Sequence, residues 1–164
     1  VVVVVIVGIA AAVAVPSFTQ LVAEQRATTK TNEFVSALRF ARSEALKRGR
    51  PVTICASSDG STCSDSNDWE AGWIVFNDEG PNRGTVEGSE GEDVIRVQNG
   101  FDAATLADKS VNAAEFIPFA GDGSVDNGNS LDFELEPPDC EGDKLRGITV
   151  AATGRAEVER RACP

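Results

Sequence analysis

No charged residue occurs among the first 23 positions, which open VVVVVIVGIAAAVAV and meet their first ionisable side chain at Glu24. As a helix, a segment of this length spans about 33 Å, close to the roughly 30 Å hydrocarbon core of a bilayer. Val and Ile at positions 1–7 are poor helix formers in water, because β-branching restricts their rotamers. In apolar surroundings the backbone must satisfy itself, and the helix is then the available solution. A cleaved signal peptide carries a basic start and a small-residue cleavage site. Here the start has no base, and the helical pattern continues past the apolar run. Two readings remain: a plain membrane anchor, and a segment that sits in a membrane first and in a filament core afterwards. Pro16 removes one helical donor and clashes with the carbonyl of Ala12, so a kink or an unwound turn is expected between Gly8 and Pro16.

Beyond Pro16 the pattern becomes amphipathic. Phe34, Leu38, Ala41 and Ala45 follow the i, i+4, i+7, i+11 spacing of one helical face, flanked by Val35 and Arg42. Glu44 and Arg48 form an i, i+4 pair in the favourable order. Lys47, Arg48 and Arg50 suit the negative end of the helix dipole, and Gly49 followed by Pro51 stops the helix. The result is one helix of nearly fifty residues, apolar over 1–23 and amphipathic over 24–50, whose second half should lie on a sheet.

From position 51 onward, short strand signals alternate with Gly, Asn, Asp and Ser. They fall at 51–56, 72–77, 93–98, 115–119, 131–135, 147–152 and 155–160. Val52 and Ile54 alternate with Thr53 and Cys55, and Phe133 and Leu135 with Asp132, Glu134 and Glu136, as in half-buried antiparallel sheet. Only 148–152 reads as buried on both faces. The fold class is therefore α+β: a long N-terminal helix packed on an antiparallel β-sheet domain, 51–164.

The net charge of −11 is unevenly distributed. Residues 24–50 carry seven bases and three acids, 51–143 carry 21 acids and three bases, and 144–164 carry five bases and two acids. An acidic middle repels phosphate backbones and argues against general nucleic-acid binding, leaving only a local basic strip at the C-terminal end. The four cysteines, Cys55, Cys63, Cys140 and Cys163, form no C-x-x-C pair, and the chain has no histidine. Two disulfides are the better reading, and they place the domain outside the cytoplasm. Four cysteines allow three pairings. Proximity favours Cys55 with Cys63, and elimination leaves Cys140 with Cys163.

The stretch VPSFTQLVAEQRATTKTNEFVSALRFARSEALKRGRPVTICASSDGSTC, 15–63, resembles the minor pilins and pseudopilins of the FimT and GspH kind, which belong to type IV pili and type II secretion systems. Three elements carry the match: Pro-Ser-Phe at 16–18 after the apolar helix, ARSEALKRGRPVTIC at 41–55, and the strand WEAGWIVFND at 69–78. FAGDGS at 119–124 and ITVAATGRAEV at 148–158 look like the family's later hairpin and closing strands. The resemblance implies a filament subunit held by its helix, with Val1, Val5, Gly8, Ala12, Pro16 and Phe18 as assembly residues. Its partners would be other pilin subunits, in a homo- or hetero-oligomeric filament, with the inner membrane as host before assembly and the periplasm or cell exterior afterwards. Family members begin with a phenylalanine or similar residue and a Thr-Leu-Ile-Glu-like stretch. Aligned on Pro16, about half a dozen such residues, with the processing site and assembly glutamate, are missing from this sequence: either they precede Val1 or this member differs from the family.

The remaining chemistry is sparse. Without histidine, no Ser-His or Cys-His arrangement can form. No glycine-rich phosphate loop opens a helix, and paired carboxylates would need a cleft with two distinct environments. The stretch from Asp122 through Asp126 to Gly128 echoes a calcium loop, but its spacing is off by one, and it reads as a hairpin turn. Asp65, Asp68, Asp78 and Glu79 read as loop acids. The chain is expected to be no enzyme and to carry no cofactor or metal. The resemblance also raises a DNA-uptake alternative, because some members of the FimT kind bind DNA through a Gly-Arg-x-Arg element. Here that element is Gly154-Arg155-Ala156-Glu157, with a reversed charge at its end. Arg155, Arg160 and Arg161 are the candidate contacts. On a strand, Arg155, Glu157, Glu159 and Arg161 share a face and largely cancel, which suits an exposed edge strand that discourages edge pairing.

Overall fold

The computed structural model describes residues 2–164 apart from 65, 89–90, 102–103 and 109–114, with side chains described from residue 21 onward. A single helix, α1 (Val2–Arg48), runs without interruption. The unwound turn expected between Gly8 and Pro16 is absent. Proline removes a single backbone donor, and the turns on either side keep the backbone helical. The predicted inward face is correct. Phe34, Leu38, Ala41 and Ala45 are fully buried, and Ala27 and Thr31 extend the same face toward the N-terminus. At the other end Gly49 adopts φ 63°, and both its N–H (2.8 Å) and that of Arg50 (3.4 Å) reach the carbonyl of Ala45. Such a left-handed cap closes the helix where the sequence placed its end.

Among the described residues eight strands follow: β1 (Val52–Ala56), β2 (Gly72–Asn77), β3 (Val94–Asn99), β4 (Thr105–Asp108), β5 (Phe116–Phe119), β6 (Leu131–Glu136), β7 (Leu145–Val150) and β8 (Ala156–Arg161). They form two four-stranded sheets, ordered β3-β2-β1-β5 and β4-β6-β7-β8. All pairings are antiparallel. Strand β4 has no counterpart in the sequence reading, and a division into two sheets was not foreseen there.

Helix α1 packs on both sheets, and Phe34 marks the junction. Its ring stands edge-on to Trp69 and Trp73 near β2 and to Phe133 on β6, with centroids 5.5, 5.3 and 5.2 Å away. Edge-to-face contacts of this kind add to the burial of the rings themselves. Along β6 the burial alternates, with Leu131, Phe133 and Leu135 inward, as the sequence pattern requires.

The first sheet departs from the half-buried expectation. Every residue of β1 and β2 is buried, whereas Thr149, Ala151 and Ala152 in the 148–152 stretch are only partly so. The cause is a second cover. Cys55, Ile74 and Phe76 pack on the outer face with Cys63, Val86, Val94 and Phe116. The described residues of 78–88 and 91–93 are themselves organised by acids. Asp78 accepts from Thr53 Oγ1 (2.6 Å) and from the Gly84 N–H (2.9 Å), and Glu92 from the N–H groups of Gly80 (2.6 Å) and Glu87 (2.7 Å). Asp78 is fully buried, so it is a structural acid rather than a solvated loop residue. Asp65 lies outside the described residues.

Candidate assembly surface

The helix residues that the resemblance implicates, Val5, Gly8, Ala12, Pro16 and Phe18, all lie on α1 with helical backbone, and their side chains lie outside those described. Val1 lies outside the described residues. Among residues 21–164, whose side chains are described, no helix is long and apolar enough to cross a membrane. Among the described residues, the first ion pairs between α1 and the β domain are made by Glu24. Glu24 Oε1 lies 3.3 Å from Arg146 Nη2 on β7 and 3.4 Å from Arg160 Nη2 on β8, and Thr28 Oγ1 lies 3.4 Å from Arg146. Arg146 is buried against the helix, so its charge depends on that partner. The sequence reading missed this pair, although Arg146 sits in the inward register of β7, opposite Leu135.

The C-terminal arginines are largely engaged. Arg161 grips Asp132 with two bonds (2.7 and 2.8 Å) and also reaches Glu134 (3.2 Å) and Glu159 (2.7 Å). The Arg161 guanidinium holds the Asp132 carboxyl below the usual carboxylate range, and Asp132 in turn raises the arginine. The guanidinium crosses β7 above Gly147, where any Cβ would collide with it. Arg160 turns to the opposite face and meets Glu24. Arg155 is exposed and stands 3.9 Å from Glu157. The three candidate DNA contacts therefore form no single basic face, and β8 is an edge strand laced with paired charges.

The motifs at 41–55, 119–124 and 148–158 meet at one point. Arg42 Nε donates to the carbonyl of Gly123 (2.9 Å), and Gly154, at φ 76°, sits so close that a Cβ would strike that same carbonyl. Beside this junction, Arg39, Arg42, Ser43 and Leu46 of α1 face Arg155 and Val158 across an open cleft of about 590 Å³.

The bridges Cys55–Cys63 and Cys140–Cys163 are both present, each with a Cα separation of 5.6 Å. The first ties β1 to a loop organised by Asp59, which accepts from the N–H groups of Ser61 and Thr62 and from the Thr62 hydroxyl. These bonds, that from the Thr62 backbone foremost, hold the Asp59 carboxyl far below its ordinary range. The second ties the β6–β7 turn to the tail, where the Cys163 N–H also reaches the Gly142 carbonyl (2.8 Å). Asp122 accepts from the Ser124 N–H (2.9 Å) and hydroxyl (2.6 Å), as a hairpin turn does, and Asp126 stands 3.5 Å from Arg83. Among the described residues no group of carboxylates or cysteines is arranged to hold a metal ion.

The fold is similar to those of solved structures of two proteins, among others. The type IV minor pilin FimU of Pseudomonas aeruginosa superposes with a TM-score of 0.63 at 23% identity, covering 85% of this chain and 96% of that one. The minor pseudopilin EpsH of the Vibrio cholerae type 2 secretion system gives 0.54 at 12%, covering 82% and 96%. No curated protein is significantly similar in sequence. The family described as type II transport protein GspH matches residues 30–154, which takes in most of the amphipathic helix, strands β1 to β7 and the junction of Arg42, Gly123 and Gly154. Since that match spans most of the sequence, the chain belongs to the GspH family of pilin-like proteins.

Proposed function

We propose that the chain is a structural subunit of a type IV pilus or of a type II secretion pseudopilus, built into its filament through the first half of α1. The observation that carries this reading is a division along one helix. From Glu24 onward α1 is held by the chain's own β domain, through Arg146 and Arg160 and then through Ala27, Thr31, Phe34 and Leu38. Before Glu24 the helix continues with no charged residue. Water is a poor surrounding for such a surface, so lipid covers it before assembly and neighbouring subunits' helices cover it afterwards. Packing there rests on small and branched residues, Gly8 and Ala12 among them, rather than on ion pairs.

The chain then divides into a membrane and filament-core segment at 1–23, an amphipathic helix at 24–50 and an extracytoplasmic domain at 51–164. It begins in the inner membrane and ends in a periplasmic or extracellular filament. The family and the two structural relatives, a minor pilin and a minor pseudopilin, support the same reading. Electron microscopy of the assembled state tests it. Fibres should contain the full chain and should lack any form deleted for 1–22. Incorporation of the deleted form at the full chain's level would reject it.

A further inference from the structure

We propose that the cleft between α1 and β8 is the upper half of a head-to-tail contact, filled by the acidic β6–β7 turn of a second copy of this chain. This inference rests on the filament reading above. The cleft presents three cations, Arg39, Arg42 and Arg155, against one carboxylate, Glu157, around two exposed apolar side chains, Leu46 (49% exposed) and Val158 (44%). Arg39 has no ion-pair partner among the described residues, and Arg155 has only the long contact to Glu157. An arrangement of cations around apolar side chains fits a carboxylate-bearing turn with an apolar centre.

The chain carries such a turn. Between β6 and β7 the sequence reads Glu136-Pro137-Pro138-Asp139-Cys140-Glu141-Gly142-Asp143, with Pro138, Asp139, Glu141 and Asp143 exposed. The Cys140–Cys163 bridge pins it, so little ordering entropy is lost on docking.

Register places the turn and the cleft at opposite ends of the second sheet. Leu135 pairs with Arg146 beside the acidic turn, while Val150 pairs with Ala156 beside the cleft. A six-residue strand separates the two ends by roughly 17 Å. Helix α1 runs in the same sense. Glu24 lies at the acidic-turn end, by Arg146, and Arg42 lies at the cleft end, by Gly123. The acidic turn thus points back toward the helix's first half and the cleft points forward. Copies related by translation along the helix would bring one copy's turn over the next copy's cleft. A contact between two different patches, repeated with a translation along the helix, does not close into a ring and propagates as a filament.

The test is photo-crosslinking in the assembled full-length protein, with a benzophenone amino acid replacing exposed Leu46. The expected product is a crosslink mapping to 136–143 of another copy. Arg39→Glu with Arg155→Glu should lower its yield about tenfold, and adding Asp139→Lys with Glu141→Lys should restore it. Filaments in which Leu46 crosslinks elsewhere, whether to nucleic acid, to a different protein or to another face of this chain, overturn the head-to-tail contact and leave the filament reading standing. Failure of the unsubstituted full chain to enter any filament overturns both.

Discussion

Arg146 Nη2 lies 3.3 Å from Glu24 Oε1, an ion pair that joins residues 122 positions apart and fixes where the β domain takes hold of the helix. Glu24 is the first charged residue of the chain, and Arg146 is almost entirely enclosed. Replacing Glu24 with Gln leaves a buried guanidinium without its carboxylate. The loss should be about 1–3 kcal/mol, with a melting temperature lower by roughly 2–4 °C for each kcal/mol. Glu33→Gln, which breaks only the half-exposed pair with Lys30, should change stability by less than about 1 kcal/mol. Equal melting temperatures for the two variants would show that Arg146 finds other support.

Leu38 and Phe34 are fully enclosed between α1 and the sheets. Phe34→Ala removes a ring that meets three other aromatics and should cost about 3–5 kcal/mol. Leu38→Asp adds a buried charge to a comparable loss of packing and should abolish the folded domain. Circular dichroism melts decide the matter. An unchanged transition for Leu38→Asp would mean that this helix face is turned to solvent.

Much of this architecture is legible in the sequence because it is local. The inward face of α1 follows from spacing alone, and the cap at Gly49 from residue type. Seven strands lie within a few residues of their alternating patterns. What escaped depends on contacts distant in sequence. Strand β4 is four residues long, and Thr105–Asp108 shows strand character only through pairing with β6. Burial of Thr53 and Asp78 results from residues 78–88 folding over the outer face, which no strand pattern encodes. Arg39 and Arg42 become the wall of a cleft only once β8 is placed beside them.

The Asp132–Arg161 pair gives a pH dependence with a definite sign. Asp132 has a lowered pKa in the fold, first through its hydrogen bonds with Arg161. Its contribution is therefore present above the ordinary carboxylate value of about 3.9 and is lost as pH falls from there through the lowered value. Asp132→Asn should flatten that part of the stability profile below about pH 4 and alter it little near neutrality in shape. Urea melts across this range provide the measurement. An identical acid limb in the variant would reject the pair as its source.

Each bridge constrains the unfolded chain, and the Cys140–Cys163 loop, with a sequence separation of 23 against 8 for Cys55–Cys63, constrains it more. Removing Cys140 and Cys163 together should cost about 2–4 kcal/mol. Non-reducing peptide mapping should recover only these two links. A Cys55–Cys140 or Cys55–Cys163 peptide would contradict the topology.

A fragment of residues 24–164 expressed in an oxidising compartment should be a cooperative monomer at micromolar concentration. Its helix face is covered by its own sheets, and the head-to-tail contact is too small to act without the helices that align the copies. Mass measurement and thermal unfolding test this. A stable oligomer would move the main assembly contacts into the β domain.

The attachment of α1 along the domain has a mechanical consequence. Glu24 is tied to β7 and β8, Phe34 is wedged between the two sheets, and Arg42 is tied to the loop after β5. These anchors are spread over about 27 Å of helix. A pull on the helix along its axis therefore loads them together in shear instead of peeling them one at a time, so a fibre under tension would stretch or slip between subunits before it stripped a domain from its stalk.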